Sequence, residues 1–390
     1  MGRLSPLDTA LGFELSDEQM RFRREFSGWL EAHVPRDQPP DDEHERFERG
    51  RAWQRLLAEE GWAGIAWPVE YGGRGADAIT QFIYYECLAW ARAPELVNTP
   101  GLLLAGPTMM VHASAALKQR LLPRILSAAD VWCQGFSEPD YGSDLGSIKT
   151  RAALEEGTWV IDGQKVWTTH APFATHCFVL CRTAESEGGR RYDGLSMVIC
   201  EMAQDAVVIT PLRQPTGDAE FAHVLFNRAT APADAVIGEP GDGWAVSMTM
   251  LEFERSEQGF TDHSRLLARL DDIRSHLLNA ELADEARMEF RARFVDLWSR
   301  CQLLGQFNLG RALALDRGEK IGSWGSYLKL YWSELWQAIA ELGLDVSGPR
   351  VHPDFDFAFD YLDSRAATIY SGTSEIQRNV IGERLLGLPR

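Results

Sequence analysis

Apolar residues recur at helical spacing soon after the start of the chain, with Phe22, Phe26, Trp29 and Leu30 on one face until Pro35 interrupts them. The pattern predicts a helix that starts at Ser16. Ser16 and Gln19 have capping-box spacing, and Asp17 and Glu18 suit the positive end of a helix. Residues 36–45 are rich in Pro and Asp and read as a surface connection. Trp53, Leu56 and Leu57 mark a second helix ending near Gly61, and the GWAGIAWPVEYGGRG stretch that follows holds too many glycines for regular structure. Thr80–Ala91, Leu102–Ser114 and Leu117–Leu126 predict three more helices.

At Val131 the period changes. Short β-rich runs follow at Cys177–Cys181, Ser196–Cys200, Val207–Thr210 and Phe221–Phe226, separated by Gly, Pro, Asp and Ser. Asp162-Gly163, between the alternations of Trp159-Val160-Ile161 and Val166-Trp167, predicts a two-residue hairpin turn, because both central residues of such a turn need φ > 0. Trp159 and Trp167 would then form a cross-strand aromatic pair, unless Trp167 serves a site. From Gly243 the pattern is helical again, with Arg and Glu among Leu, Phe and Trp and with interruptions at 318–325 and 343–356. The order helices, small β region, helices is an α+β arrangement. It divides the chain into an all-α region 1–130, a β region 131–240 and a second helical region 241–390.

At 390 residues the chain is long enough for several substructures with large cores, and 45% hydrophobic with 25% charged residues is an ordinary globular composition. A formal net charge of −18 argues against a nucleic-acid partner, which needs clustered excess Lys and Arg. The six cysteines form no CxxC and have no His partner at zinc spacing, so they read as buried free thiols of a reducing compartment, with no metal site. The first residues lack a basic and apolar leader, and no apolar run approaches ~18 residues. The expectation is a cytoplasmic protein without a membrane span. Trp298, Trp324, Trp332 and Trp336 read either as a subunit interface or as the core of the helical region.

Chemistry concentrates around the start of the β region. Ser137, Gly142 and Ser143 offer small polar donors, and Trp167, Thr168 and Thr169 set an indole beside two hydroxyls. An aromatic wall, hydroxyl donors and a Gly/Ser turn are what a planar redox ring with a diphosphate tail requires.

FSEPDYGSD followed by WVIDGQKVWTT resembles the flavin-binding segment of the acyl-CoA dehydrogenase family, and IYSGTSEIQRNVIGERLLG resembles its C-terminal signature. GWAGIAWPVEYGG and VIGEPGDGW fit as well, so the resemblance spans nearly the whole chain. It implies an N-terminal helical domain, a middle β-barrel-like domain and a C-terminal helical bundle. The implied reaction is FAD-dependent α,β-dehydrogenation of an acyl-CoA thioester to the 2-enoyl-CoA, with an electron-transferring flavoprotein as acceptor.

By the resemblance, FAD would be met by Gln134, Phe136, Ser137, Gly142, Ser143, Trp167, Thr168, Thr169, Thr373 and Glu375. The substrate would be met by Ser143, Arg255, Ser371 and Gly372. Where many members carry the catalytic Glu, this chain has Ser371, and an alcohol is too weak a base without an activating partner. Other members place the Glu before an Arg on the first C-terminal helix, which makes Glu254, beside Arg255, the implied base. The residues themselves also allow Glu254 to be one of several charges, with Glu252, Arg255 and Glu257, on a solvated helix face. The small Ser371 leaves room for a branched or bulky acyl group.

Two elements that many members use for FAD across a subunit interface, an Arg followed by Phe-Gly and a later Gln with Gly-Gly, are absent between residues 260 and 360. Gly322–Leu330 instead resembles a branch containing bacterial sterol and bulky-acyl dehydrogenases, some of them mixed two-chain assemblies. The resemblance therefore leaves three readings. One is a complete dehydrogenase that self-associates. Another is a non-catalytic or half-site partner subunit of a heteromeric enzyme. The third is a flavin-dependent monooxygenase or other thioester chemistry on the same fold.

Overall fold

The computed structural model describes residues 5–10, 12–185, 191–280, 282–319, 322–348 and 357–389, without the side chains of Thr9 and residues 254–258. Its helices and strands run in the order α1 (Pro6–Thr9), α2 (Asp17–His33), α3 (Glu43–Glu59), α4 (Ala78–Trp90), a π-helical turn (Pro100–Ala105), α5 (Gly106–His112) and α6 (Ala115–Leu126). Next come β1 (Trp132–Gly135), β2 (Arg151–Glu155), β3 (Thr158–Thr169), β4 (His176–Arg182), β5 (Leu195–Glu201), β6 (Val207–Leu212), β7 (Phe221–Pro232) and β8 (Val236–Ile237). The chain closes with α7 (Gly243–Asn279), α8 (Asp284–Asp316), α9 (Trp324–Ser347), α10 (Phe357–Ser364) and α11 (Ser374–Val380). It forms two compact units, one of Met1–Arg36, Ala76–Ala93 and Arg255–Arg390, the other of Asp37–Gly75 and Pro94–Glu254.

The first unit is helical. α2 begins where the sequence places it: Ser16 Oγ accepts from the Gln19 N–H at 3.2 Å, and Gln19 Oε1 accepts from the Ser16 N–H at 3.0 Å. Leu266, Leu270, Leu304, Leu335, Trp332 and Trp336 belong to one buried cluster of α7, α8 and α9. Trp298 packs against that cluster, while Trp324 is 45% exposed. Three of the four tryptophans weighed as a subunit interface are therefore used by the unit's own core. On α4 the buried Glu86 lies 3.5 Å from Arg23, which also forms a bidentate pair with Asp8 at 2.7 and 3.1 Å. Burial pushes the Glu86 carboxyl up to about 7, against the opposing pull of a Ser5 hydrogen bond and the Arg23 charge.

The second unit carries the sheet, with strand order β6-β7-β3-β2-β4-β5-β8 and β1 added in parallel to β4. Helices on either side of a middle sheet region give the expected α+β class. Cys133, Cys177, Cys181 and Cys200 lie buried as free thiols on β1, β4 and β5.

Two expectations for this sheet are corrected. Asp162-Gly163 is no hairpin turn; it lies inside the unbroken strand β3, which pairs with β2 on one side and β7 on the other. The turn into β3 is Glu156-Gly157, both at positive φ (48° and 81°), with Glu155 opposite Thr158. Opposite it lies a β-bulge in β7: between Ile161 and Asp162 the register skips Arg228, itself at φ 57°. Gly163 has φ 142°, and a Cβ there would stand 2.7 Å from Thr150 Cα. Nor are Trp159 and Trp167 a cross-strand pair, since both belong to β3. Trp159 is buried and donates to Ala233 O at 3.1 Å, whereas Trp167 is turned out.

Candidate functional site

In the sheet unit, the end of β1 and the end of β3 meet through the Val166 N–H, which donates to Ser137 O at 2.9 Å. Gln134 is half-buried on β1, with its Nε2 3.9 Å from the sulfur of Met250 on α7. Phe136 is buried, its ring edge-on to Phe178 at 6.0 Å, so its side chain belongs to the sheet core. Past the half-buried Ser137, Glu138 and Tyr141 exchange backbone hydrogen bonds of 2.9 and 3.0 Å, closing a tight turn after which Gly142 and Ser143 are exposed.

An irregularity in β3 shapes the other side. Between Lys165 and Thr168, two residues of β3 face one of β7, and Trp167 takes φ 58°. The bulge presents the indole to solvent at 62% exposure, edge-on to Phe221. Thr168 points inward, with a hydroxyl that is buried and has no partner among the described residues. Thr169 is half-buried and pairs with Phe221. An exposed indole with the half-buried Thr169 hydroxyl two residues on offers a flat wall and a donor, which fits a planar heterocycle.

Sequence reasoning missed what holds this turn in place. Lys165 is completely buried, and its Nζ donates to Glu138 Oε1 at 2.9 Å and Phe136 O at 3.0 Å. Glu138 also accepts from the backbone N–H groups of Lys149 (2.7 Å) and Thr150 (2.8 Å). Burial would raise the Glu138 pKa, but the Lys165 charge and these N–H donors outweigh it and hold the carboxyl below its ordinary value. The signal was a lone Lys at an inward position of an alternating strand, 27 residues after a Glu.

The helical unit carries the C-terminal motif. Thr373 caps α11, its hydroxyl accepting from the Ile376 N–H at 3.3 Å, and the Ser374 hydroxyl is buried with no partner among the described residues. Glu375 is exposed on the first turn, where its own backbone N–H and the Thr373 hydroxyl hold its carboxyl below the usual range. Before the cap, Ser371 and Gly372 both take left-handed backbone, φ 52° and 87°. For Ser this costs on the order of 1–2 kcal/mol, so the surroundings must hold it. The Gln377 amide donates to Ser371 O (2.8 Å) and Gly372 O (3.3 Å), and Lys329 Nζ on α9 donates to Gly372 O at 2.7 Å. The backbone of Glu254 and Arg255 lies in α7, one turn beyond the buried Met250; their side chains are outside the described residues.

Among the described residues, cavities of about 240 and 710 Å³ lie in the sheet unit, the larger of these between Arg55, Tyr71, Lys118 and Leu122. Glu70 and Gly72, with Tyr71 part of the GWAGIAWPVEYGG stretch, also line the larger one, and neither is lined by a flavin or substrate residue named above.

Comparison with known proteins places these motifs. Residues 16–129, 133–229 and 241–386 match in turn the models of the acyl-CoA dehydrogenase N-terminal, middle and C-terminal domains. Over 383 residues the chain is 39% identical to the acyl-CoA dehydrogenase IpdE1 of Mycobacterium tuberculosis, covering 95% of this chain and 97% of that one. The chain belongs to the acyl-CoA dehydrogenase family. It is also 33% identical to the acyl-CoA dehydrogenase FadE34 of the same organism, over 86% of this chain and 46% of that longer protein. Among solved structures, the Tcur3481-Tcur3483 steroid ACAD superposes with a TM-score of 0.84 at 22% identity, covering 97% of this chain and 99% of that one. The ChsE4-ChsE5 complex from Mycobacterium tuberculosis gives 0.81 at 24% identity, over 97% and 99%. This acyl-CoA dehydrogenase thus has the family's three-domain fold and is an oxidoreductase, of a family whose members are generally flavoproteins.

Proposed function

We propose that this acyl-CoA dehydrogenase binds FAD and forms the α,β double bond of a branched or bulky acyl-CoA, with Glu254 as the base. The observation that carries the cofactor reading is the bulge that turns the Trp167 indole out at 62% exposure, with the half-buried Thr169 two residues on. Trp167, Thr168, Thr169, Gln134, Ser137 and the Gly142-Ser143 turn would hold FAD from the sheet unit, with Phe136 contributing its backbone. Thr373, Ser374 and Glu375 of the C-terminal motif are further proposed cofactor contacts, on the resemblance alone. The bound flavin supplies a two-electron acceptor for the hydrogen leaving the β-carbon.

The chain's own task is the α-proton. Glu254 would take it, the role that the resemblance gives a Glu placed before an Arg on the first C-terminal helix. Ser371 supplies no base, but its backbone and that of Gly372 remain donors for the thioester carbonyl as negative charge develops there. With Arg255 beside Glu254 and Ser143 at the turn, they complete the proposed substrate contacts. The small Ser371 side chain favours a bulky acyl group, and an electron-transferring flavoprotein is the proposed acceptor. Glu254→Gln is expected to abolish turnover while keeping flavin and substrate binding; full turnover of that variant would move the base elsewhere.

A second reading is a half-site subunit that shares FAD with a homologous partner chain. The missing Arg-Phe-Gly and Gly-Gly elements between residues 260 and 360 favour it. It also agrees with the two-protein complexes named among the structural neighbours.

A further inference from the structure

We infer that Lys329, together with Gln377, is a positioning residue for the thioester donors of the Ser371–Gly372 turn. The inference rests on the reading that this turn binds the thioester carbonyl.

Gly372 is the weak point of such a site, because its backbone rotates more freely than that of any other residue. A trans peptide is planar, with its C=O and N–H pointing opposite ways, so a group that fixes one carbonyl also aims the N–H of the next residue. Gln377 holds the Ser371 carbonyl and thereby aims the Gly372 N–H, which has no acceptor among the described residues. Lys329 and Gln377 together hold the Gly372 carbonyl, fixing the following peptide plane and hence the rotation of Gly372. A Cβ at Gly372 would stand 2.6 Å from Gln377 Nε2, so the clamp closes directly on the glycine.

Lys329 adds something a neutral donor lacks. Its bond to the Gly372 carbonyl is charge-assisted, so it holds the Gly372–Thr373 peptide plane, and with it the rotation of Gly372, more firmly than a neutral donor would. The stem is positioned by α9, where Lys329 sits over the Tyr370 ring at 6.0 Å and Trp332, one turn on, packs against Tyr370 at 6.3 Å. The clamp thus ties α9 to the turn from both sides of Ser371.

The test uses the full-length, flavin-loaded protein and cyclohex-1-enecarbonyl-CoA labelled with ¹³C at the thioester carbonyl. Infrared difference spectra of the bound probe report the hydrogen bonds on that carbonyl. The wild-type protein is expected to shift the carbonyl stretch to lower frequency, and Lys329→Met to lose most of that shift. The same variant should lower kcat by about 10- to 100-fold with KM changed by less than about 3-fold, as for loss of transition-state donors. Lys329→Arg should restore most of both. Gln377→Leu, measured alongside, should act in the same direction, and it carries the test if Lys329→Met does not fold. A wild-type shift retained in both variants with unchanged kcat overturns the role of the clamp while leaving the thioester reading intact. No shift in the wild-type protein overturns the thioester reading itself, and this inference with it.

Discussion

Lys165 and Glu138 show how one buried pair fixes a site that neither residue lines. The ammonium reaches a carboxylate and a backbone carbonyl, and the carboxylate answers two N–H groups, so the turn carrying Gly142 and Ser143 is tied to β3. Removing one partner strands the other in the interior, so Lys165→Met is expected to cost about 3–5 kcal/mol. A lowered urea midpoint would show it, and Lys165→Met with Glu138→Gln should recover part of the loss. An unchanged midpoint would contradict the account. Glu86 behaves oppositely with pH. Its folded pKa of about 7 lies above the unfolded value, so its stabilising contribution is complete below about pH 4.5 and is lost as pH rises through 7. Glu86→Gln should therefore flatten the decline in stability between pH 5 and 8, by up to about 3 kcal/mol. Thermal unfolding across that range measures it, and equal slopes for both proteins would refute it. Proposed site residues with a local signature, such as Trp167 and Thr168, stand out in the sequence. Lys165, Glu138 and Lys329 do not, because their partners are 27 and 43 residues away and no local period encodes a clamp.

At the level of elements, the helices were readable because caps and 3.6-residue spacing are local: Ser16 with Gln19 starts α2 and Pro35 follows its end. The β region was harder. Asp-Gly can lie within a strand as well as in a hairpin turn, and what decides is whether strands pair on both sides, which is a long-range fact. In β3 both sides are occupied, by β2 and β7, so the strand runs on and its bulge between Lys165 and Thr168 turns Trp167 outward. Gly163→Ala is accordingly expected to destabilise the protein by about 2 kcal/mol or more, through its φ of 142° and a 2.7 Å approach to Thr150. Flavin retention should fall with it, because the strand carrying Lys165–Thr169 shifts. Guanidinium unfolding with a flavin assay checks both; wild-type stability in this variant would show that Gly163 is not under constraint.

For the whole molecule, the succession of helical, sheet and helical regions was visible from the change of period at Val131 and again at Gly243. The division into two compact units was not, since the helical unit gathers α1, α2 and α4 with the C-terminal bundle, far apart in sequence. We propose that the domain limits 1–130, 131–240 and 241–390 describe sequence modules, while folding divides the first between the two units, residues 1–36 and 76–93 joining the C-terminal helices and the rest joining the sheet. The central claim is that this acyl-CoA dehydrogenase carries a working flavin site with Glu254 as its base. The direct test is the visible spectrum of the chain purified alone and resupplied with FAD, followed anaerobically as branched and cyclic acyl-CoAs are added. About one flavin per chain, bleached by at least one of these thioesters in the wild type and by none in Glu254→Gln, is the predicted result. A flavin-loaded Glu254→Gln that bleaches like the wild type, or a folded chain that takes up no flavin, would contradict it.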